Sequence, residues 1–491
     1  MTDAASRRLL VVADSDSYVK WGAALASTLP AAWETRLVVI ASPVQPSARQ
    51  LADALAGTAF TTDAARVRHL DELDAELDAF DPHAVLLALR GPFVRVVAPR
   101  LNARAGRPVL VSGFPGLTIP AVPKAVIYRE QTDLVVLHSR REVRDFEANA
   151  SALGIDRTFG LATLPFLATA AGRGAAASRL ATVGVGSRDG RRPPPPARGD
   201  VVFAAQAKVP VERADRVKLL AALAELARRR PEHRVVVKVR ARAGEAQTHA
   251  EEHDYADLLA DLDRVPENLV VEDGPMAARL ARADALVTVS STAALEAIAL
   301  GLPVLLVDDF GVSPAMINTV FDGAGLFGST TDLVAGRFRH ADAAWLADNY
   351  FHEPGDADWV RRLTALVEAR EIIAPPPLER RHDLWGGGIR AAFERRRMLG
   401  EYDRTLAGAL AWGVGVPVRG VVRRVRRARG VLRRWVGGSG AADATAPAET
   451  PAFVSREPVA SAAPPETAPT RGVGPARGAG AGRTVGAGSR D

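Results

Sequence analysis

Ser290, Ser291 and Thr292 put three hydroxyls in a row, and Glu296 follows one helical turn after Thr292. Hydroxyls and free backbone N–H groups at a helix start suit a phosphate. A carboxylate four residues on lies on the same side of the helix and can accept two hydroxyls of a ribose. A second group lies upstream. Lys238 and Arg240 end a strand that reads as buried, where cations on one side are costly unless they meet an anion; a diphosphate would be that anion. His249, in a Gln-Thr-His triplet, can hydrogen-bond a phosphate or act as an acid, although a lone histidine is more often structural. Asp14 and Asp16 follow the first apolar run and offer a carboxylate as general base on an acceptor hydroxyl, or else simply cap the next helix. Gly113 and Gly116, in SGFPGLTIP, let backbone N–H groups approach a phosphate or sugar. A Ser-Ser-Thr turn before a helix is also an ordinary cap, and a glutamate there is favoured by the helix dipole.

The elements that hold these residues are legible in the apolar pattern. Ala285–Val289 is a β-favouring run, Ala293–Leu300 consists mostly of strong helix formers, Gly301 ends the helix and Val304–Val307 begins a new strand. The same alternation covers the first part of the chain. Strands are expected at Leu9–Ala13, Leu37–Ala41, Val67–Leu70, Ala84–Leu89, Pro108–Ser112 and Leu134–His138, with helices after the first, second, fourth and sixth of them. It breaks at 169–199, a stretch rich in Ala, Gly and Arg with four consecutive prolines, and restarts at Val201. Strands alternating with helices imply doubly wound parallel sheets, so the fold class is α/β with two Rossmann-like domains facing a cleft. The expected boundaries are 1–168 for a first Rossmann-like domain, 169–199 for a linker and 200–400 for a second. An apolar segment and basic amphipathic helix at 401–436 and a disordered tail at 437–491 complete the chain.

Of 491 residues 47% are hydrophobic, enough for a sizeable core, and there is no cysteine, which excludes disulfides and thiolate metal sites. The nine arginines between Arg404 and Ala442 outweigh the whole net charge of +6, so the rest of the chain is slightly negative. That argues against broad nucleic-acid binding by the folded body. No leader or membrane-spanning run is evident, and a cytoplasmic body is expected. In the basic segment, Val418, Val421, Val422, Val425, Leu432 and Trp435 recur at helical spacing among eight arginines from Arg419 to Arg434. This is the pattern of an interfacial anchor, and the expected partner is an anionic membrane surface at the inner face of the plasma membrane.

SSTAALEAIALGLPV resembles the nucleotide-binding segment of two-domain (GT-B type) glycosyltransferases and nucleotide-sugar 2-epimerases. The resemblance implies that the hydroxyl turn meets the diphosphate and Glu296 the ribose. DSDSYVKWG, VKVRARAGEAQTH and TVSSTAALEAIALGLP together resemble an uncharacterised bacterial glycosyltransferase family over about residues 7–400. The resemblance implies transfer of a sugar from a nucleotide-diphosphate donor to an envelope polysaccharide or lipid-linked acceptor, with the nucleotide-sugar as substrate and no cofactor. Asp-x-Asp is also a metal signature of one-domain (GT-A type) enzymes. It recurs at 261–263 and 356–358 and here opens the chain, so no metal is assigned. The alternatives are a 2-epimerase on the same scaffold, against which the basic tail counts, and a non-catalytic nucleotide- or glycan-binding protein at the membrane face.

Overall fold

The computed structural model describes residues 6–165, 167, 199–239, 253–382, 384 and 387–417. Among them lie two parallel sheets. The first is built from β1 (Arg7–Ala13), β2 (Trp33–Ile40), β3 (Arg66–Arg68), β4 (Ala84–Ala88), β5 (Val109–Gly113), β6 (Leu134–Leu137) and β7 (Thr158–Leu161), in the order β3-β2-β1-β4-β5-β6-β7. Helices α1 (Asp16–Ala26), α2 (Ala48–Leu55), α3 (Leu73–Phe80), α4 (Gly91–Asn102), α5 (Pro123–Ile127) and α6 (Arg140–Ala152) intervene. The central strands β1, β4, β5 and β6 are buried on both faces over most or all of their length. That is why they read as unbroken Val/Leu/Ala runs rather than as alternating patterns.

The second sheet repeats the plan. Its strands are β8 (Asp200–Ala204), β9 (Val235–Lys238), β10 (Leu269–Glu272), β11 (Ala283–Thr288), β12 (Val304–Val307) and β13 (Phe327–Gly328), ordered β10-β9-β8-β11-β12-β13. Its helices are α7 (Arg213–Arg229), α8 (Tyr255–Ala260), α9 (Met276–Leu280), α10 (Ala293–Ala299), α11 (Thr330–Val334) and α12 (Ala343–Asp348). Gly301, just past α10, adopts a φ of +74°, the left-handed conformation that closes a helix without a Cβ clash. In both sheets the strand order reverses beside the first strand, between β1 and β4 and between β8 and β11. A crevice opens at the carboxyl end of each such point.

The sequence reading ran the second domain to residue 400; the packing differs. Helix α13 (Trp359–Ile372) returns to the first sheet, where Trp359, Leu363 and Val367 share a core with Leu9, Val11, Ala84 and Val111. Gly160 of β7 makes room for it: a Cβ there would come within 3.1 Å of Trp359. Asp358 locks the return, since its carboxylate accepts the Leu161 N–H at 2.9 Å and its own N–H donates to the Leu161 carbonyl at 2.9 Å. Helix α14 (Gly387–Leu399) follows, and Leu399 joins the core formed by Leu10, Phe93 and Val97. The apolar stripe of α13 announces a helix with one buried face, but its period carries no information about which sheet it covers. The short edge strands β7 and β13 and helices α3 and α5 also went unread, being too short to give a periodic signal. All but the last residue of the expected linker at 169–199, and residues 418–491 of the expected basic helix and tail, lie outside the described residues.

Candidate functional site

The crevice of the second sheet is spanned by a neutral network. Gln206, just beyond β8, accepts the backbone N–H of Ser290 at 2.9 Å and donates its amide to the Ser290 hydroxyl at 3.1 Å. Thr288, the last residue of β11, donates its hydroxyl to the Ala204 carbonyl at 3.0 Å and accepts the Ser291 N–H at 3.2 Å. Ser291 in turn accepts the Ala293 N–H at 3.2 Å. Ser290 is buried, Ser291 half-buried and Thr292 exposed, so Thr292 presents the outermost hydroxyl at the start of α10. Thr292 makes no capping bond to that helix. Glu296 sits half-buried one turn inside α10. Lys238 ends β9, two strands away at the same edge; it is buried, and its Nζ donates to the Val239 carbonyl at 2.5 Å. Beyond β12, Asp309 accepts Lys218 at 2.6 Å and the Thr330 hydroxyl at 2.9 Å. Burial would raise its carboxyl, but these bonds outweigh burial and hold it below the ordinary value. Arg240 and His249 lie outside the described residues.

The crevice of the first sheet is spanned by an ion pair. Asp14 follows β1 and is 0% exposed; Arg90 follows β4 and reaches its Oδ2 with Nε at 2.6 Å. Burial pushes the Asp14 carboxyl above its ordinary value, and the adjacent guanidinium pulls it down without cancelling that rise. The Ser42 hydroxyl, after β2, donates to the Asp14 carbonyl at 3.4 Å. Tyr18 and Arg129 stand behind the pair. Arg129 donates to the Gly113 carbonyl at 2.8 Å and lies 3.7 Å from the centre of the Phe114 ring. Burial raises the Tyr18 phenol and lowers the Arg129 guanidinium. Asp16, the first residue of α1, is exposed. The two expected bases therefore part company: Asp14 is an internal strut, and Asp16 is the carboxylate open to solvent.

The glycine loop turns out to be a domain junction. Gly113 is the last residue of β5 rather than a loop residue, and a Cβ there would lie 2.6 Å from the Trp21 ring and from the Val136 carbonyl. Close packing therefore explains Gly113. Gly116 has open space around it. Further along the loop, Ile119 is buried among Val320, Phe321, Trp345 and Tyr350 of the second domain. Glu142 of α6 ties the junction. Its carboxylate accepts the Thr118 N–H at 3.0 Å, the His138 N–H at 2.9 Å and the Tyr350 hydroxyl at 2.7 Å. Burial, with Glu142 next in weight, holds the Tyr350 phenol well above its ordinary value. The neighbouring His138 accepts the Trp21 indole N–H through Nε2 at 2.8 Å, so its proton is on Nδ1 and is donated to the Ala162 carbonyl at 2.9 Å. Burial lowers this imidazole below its ordinary value.

The structure thus gathers Ser290, Ser291, Thr292 and Glu296 on one turn, with Lys238 at the same sheet edge, and sets Asp14, Asp16 and Gly113 at the other sheet. Sequence reasoning missed Gln206, Arg90, Glu142 and Arg129. Gln206 and Arg90 did leave a faint signal, as polar residues directly after apolar strand runs. Among the described residues no cluster of three or more His, Cys, Asp or Glu could hold a metal ion, and no helix is long and apolar enough to cross a membrane.

Two doubly wound parallel domains with crevices at their strand-order reversals are the arrangement that the GT-B resemblance implies. A family model described as "Putative glycosyltransferase (DUF6716)" matches residues 9–366 of the 491. The chain belongs to that family. Among solved structures, UDP-GlcNAc 2-epimerase from Neisseria meningitidis, bound to UDP-GlcNAc, is 11% identical with a TM-score of 0.45, covering 74% of this chain and 99% of its own. The glycotransferase of kitacinnamycin is 14% identical with a TM-score of 0.36, covering 74% and 95%. UGT2 of Phytolacca americana, complexed with UDP-2-fluoro-glucose and pterostilbene, is 10% identical with a TM-score of 0.38, covering 75% and 96%. No curated protein matches the sequence.

Proposed function

We propose that the protein transfers a sugar from a nucleoside-diphosphate donor to an envelope glycan or lipid-linked acceptor, the donor resting on the second sheet and the acceptor on the first. The observation that carries this reading is the turn from Thr288 to Glu296. Gln206 and Thr288 fix its backbone, Thr292 is left outermost, and Glu296 stands one turn behind. The turn would meet the diphosphate and Glu296 the ribose. Lys238, with Arg240 and His249 from outside the described residues, would offset the charge on the departing diphosphate. This is electrostatic stabilisation by the chain itself, with no metal or separate cofactor assigned a part. Asp16 would take the proton of the acceptor hydroxyl, and the Asp14–Arg90 pair would hold the loop that carries it. The arginines from Arg419 to Arg434 would keep the enzyme at an anionic membrane surface.

Thermal stabilisation by nucleoside diphosphates tests the donor site: a ligand at a hundred times its Kd adds about 2.7 kcal/mol. Glu296→Ala is expected to weaken that binding by about 1–3 kcal/mol by calorimetry. Unchanged affinity in the folded variant removes the ribose role. Turnover is expected to survive EDTA, and a loss restored by manganese overturns the metal-free assignment. Release of the 2-epimer from a nucleotide-sugar supplied without acceptor would convert the reading to epimerase.

A further inference from the structure

Helix α14 is followed by a turn and a second helix over 406–417. From Leu406 to Val418 the chain reads LAGALAWGVGVPV, with no charged side chain and no polar group except the Trp412 indole. The inner side of this helix is fixed to the body. Trp412 stacks on Phe393 of α14 with ring centroids 5.3 Å apart, and Ala411 is buried. Gly415 lies so close to Phe393 that a Cβ there would clash with its ring. The outer side has no such cover among the described residues: Leu406, Leu410 and Val414, at successive turns, are 84%, 73% and 63% exposed. Ile389, one turn before Phe393 on α14, is exposed as well. The first arginine of the basic run, Arg419, comes five residues after Val414 in the sequence, and no acidic residue intervenes before Asp443.

We propose that this outer face is the part of the folded body that inserts into the interfacial layer of an anionic bilayer. The proposal rests on the membrane reading of the arginine run and adds to it the residues that enter lipid. Three observations select a bilayer. The uncharged run from Leu406 to Val418, bounded by Arg404 and Arg419, would span about 20 Å as a helix at 1.5 Å per residue, too short for the ~30 Å hydrocarbon core, so it suits the plane of the interface. Its stripe of Leu406, Leu410 and Val414 carries no polar group that would set a register against a second copy. The adjoining arginines supply charge complementary to acidic headgroups. Leu406, Leu410 and Val414 contribute burial in lipid, and the arginines contribute attraction to the surface.

The chain contains no cysteine, so a single introduced thiol can be labelled selectively. Leu410→Cys in the full chain, carrying an environment-sensitive fluorophore, is expected to shift to the blue with phosphatidylcholine–phosphatidylglycerol vesicles and not with phosphatidylcholine alone. The same label at the exposed Val211 of the second domain is expected to stay water-like. Leu410→Asp with Val414→Asp should lower vesicle partitioning about tenfold or more, since each buried Leu or Val side chain is worth roughly a factor of ten. Both positions are exposed, so circular dichroism should show an intact fold. A label that stays water-like while the protein still sediments with the vesicles overturns this proposal and leaves the arginine reading intact. If the full chain with its eight arginines from Arg419 to Arg434 changed to Gln still sediments and the label still shifts, the arginine reading fails and this one stands. A blue-shifted label without vesicles would mean that the chain itself covers the face. A dimer dissolved by Leu410→Asp would mean that a second copy does. Either result overturns the proposal.

Discussion

The two crevices are topological copies with opposite chemistry. In the first, the strand ends on either side of the reversal are joined by an ion pair between the buried Asp14 and the half-buried Arg90. In the second, the equivalent ends are joined by an amide and a hydroxyl, Gln206 and Ser290. In the first crevice two opposite charges neutralise each other across the reversal; in the second a carboxamide and a serine hydroxyl bring no formal charge. The two crevices of one topology thus differ in charge, and the difference comes from single residues at matching places. Shared topology supplies a crevice, and the residue after each strand decides what the crevice can accept.

The largest effect is expected at the ion pair. Arg90→Ala leaves Asp14 buried without its partner and should cost about 3 kcal/mol in a denaturant titration, because an uncompensated internal charge must be desolvated or protonated. A cost below about 0.5 kcal/mol would mean that the pair is no strut, and the contrast with the second crevice would lose its basis. At that second crevice, Gln206→Ala strands the Ser290 N–H and releases the turn, with an expected loss of about 1–2 kcal/mol in stability and weaker donor binding. If stability falls and nucleotide affinity holds, the network supports the fold and not the ligand.

Asp14→Asn sharpens the first half of the comparison through pH. The folded carboxyl titrates above the ordinary value of 3.8. In the window between the two values the folded state keeps a proton that the unfolded state has lost. Ionisation of Asp14 in the fold therefore subtracts stability as pH rises through that window. Asp14→Asn escapes this, so its stability relative to the native protein should improve from about pH 4 upward and then level off. A difference that is flat with pH, or that runs the other way, would deny that burial governs Asp14. Asp16→Asn should change stability least, within about 0.5 kcal/mol as for an ordinary exposed site, while lowering turnover. Full turnover in this variant removes Asp16 as the base.

Much of the fold was legible because its signals are local. A parallel strand buried on both faces is an apolar run, a helix start is a small polar residue, and a helix end is a glycine, so β11, α10 and Gly301 could be read in place. The candidate donor turn was legible for the same reason, since Ser290 to Glu296 is one contiguous segment. The exposed apolar face at Leu406, Leu410 and Val414 was half legible: the composition says apolar, but only the position of Phe393 says which side is spoken for.

What the sequence determined by itself is the succession of elements and the residue types at their ends, since propensity and apolar period act over a few residues. What the tertiary structure decided is which ends meet. Asp14 and Arg90 are 76 residues apart, Gln206 and Ser290 are 84 apart, and Glu142 and Tyr350 are 208 apart. Each contact exists because the strand order or the domain junction brings the two positions together. The same holds for α13, whose buried stripe fits a sheet face by shape, and which joins the first sheet because Gly160 opens that face to Trp359. Burial then assigned the roles: it took Asp14 out of contact with water and left Asp16 in it, a distinction that two aspartates separated by one residue cannot carry in their sequence.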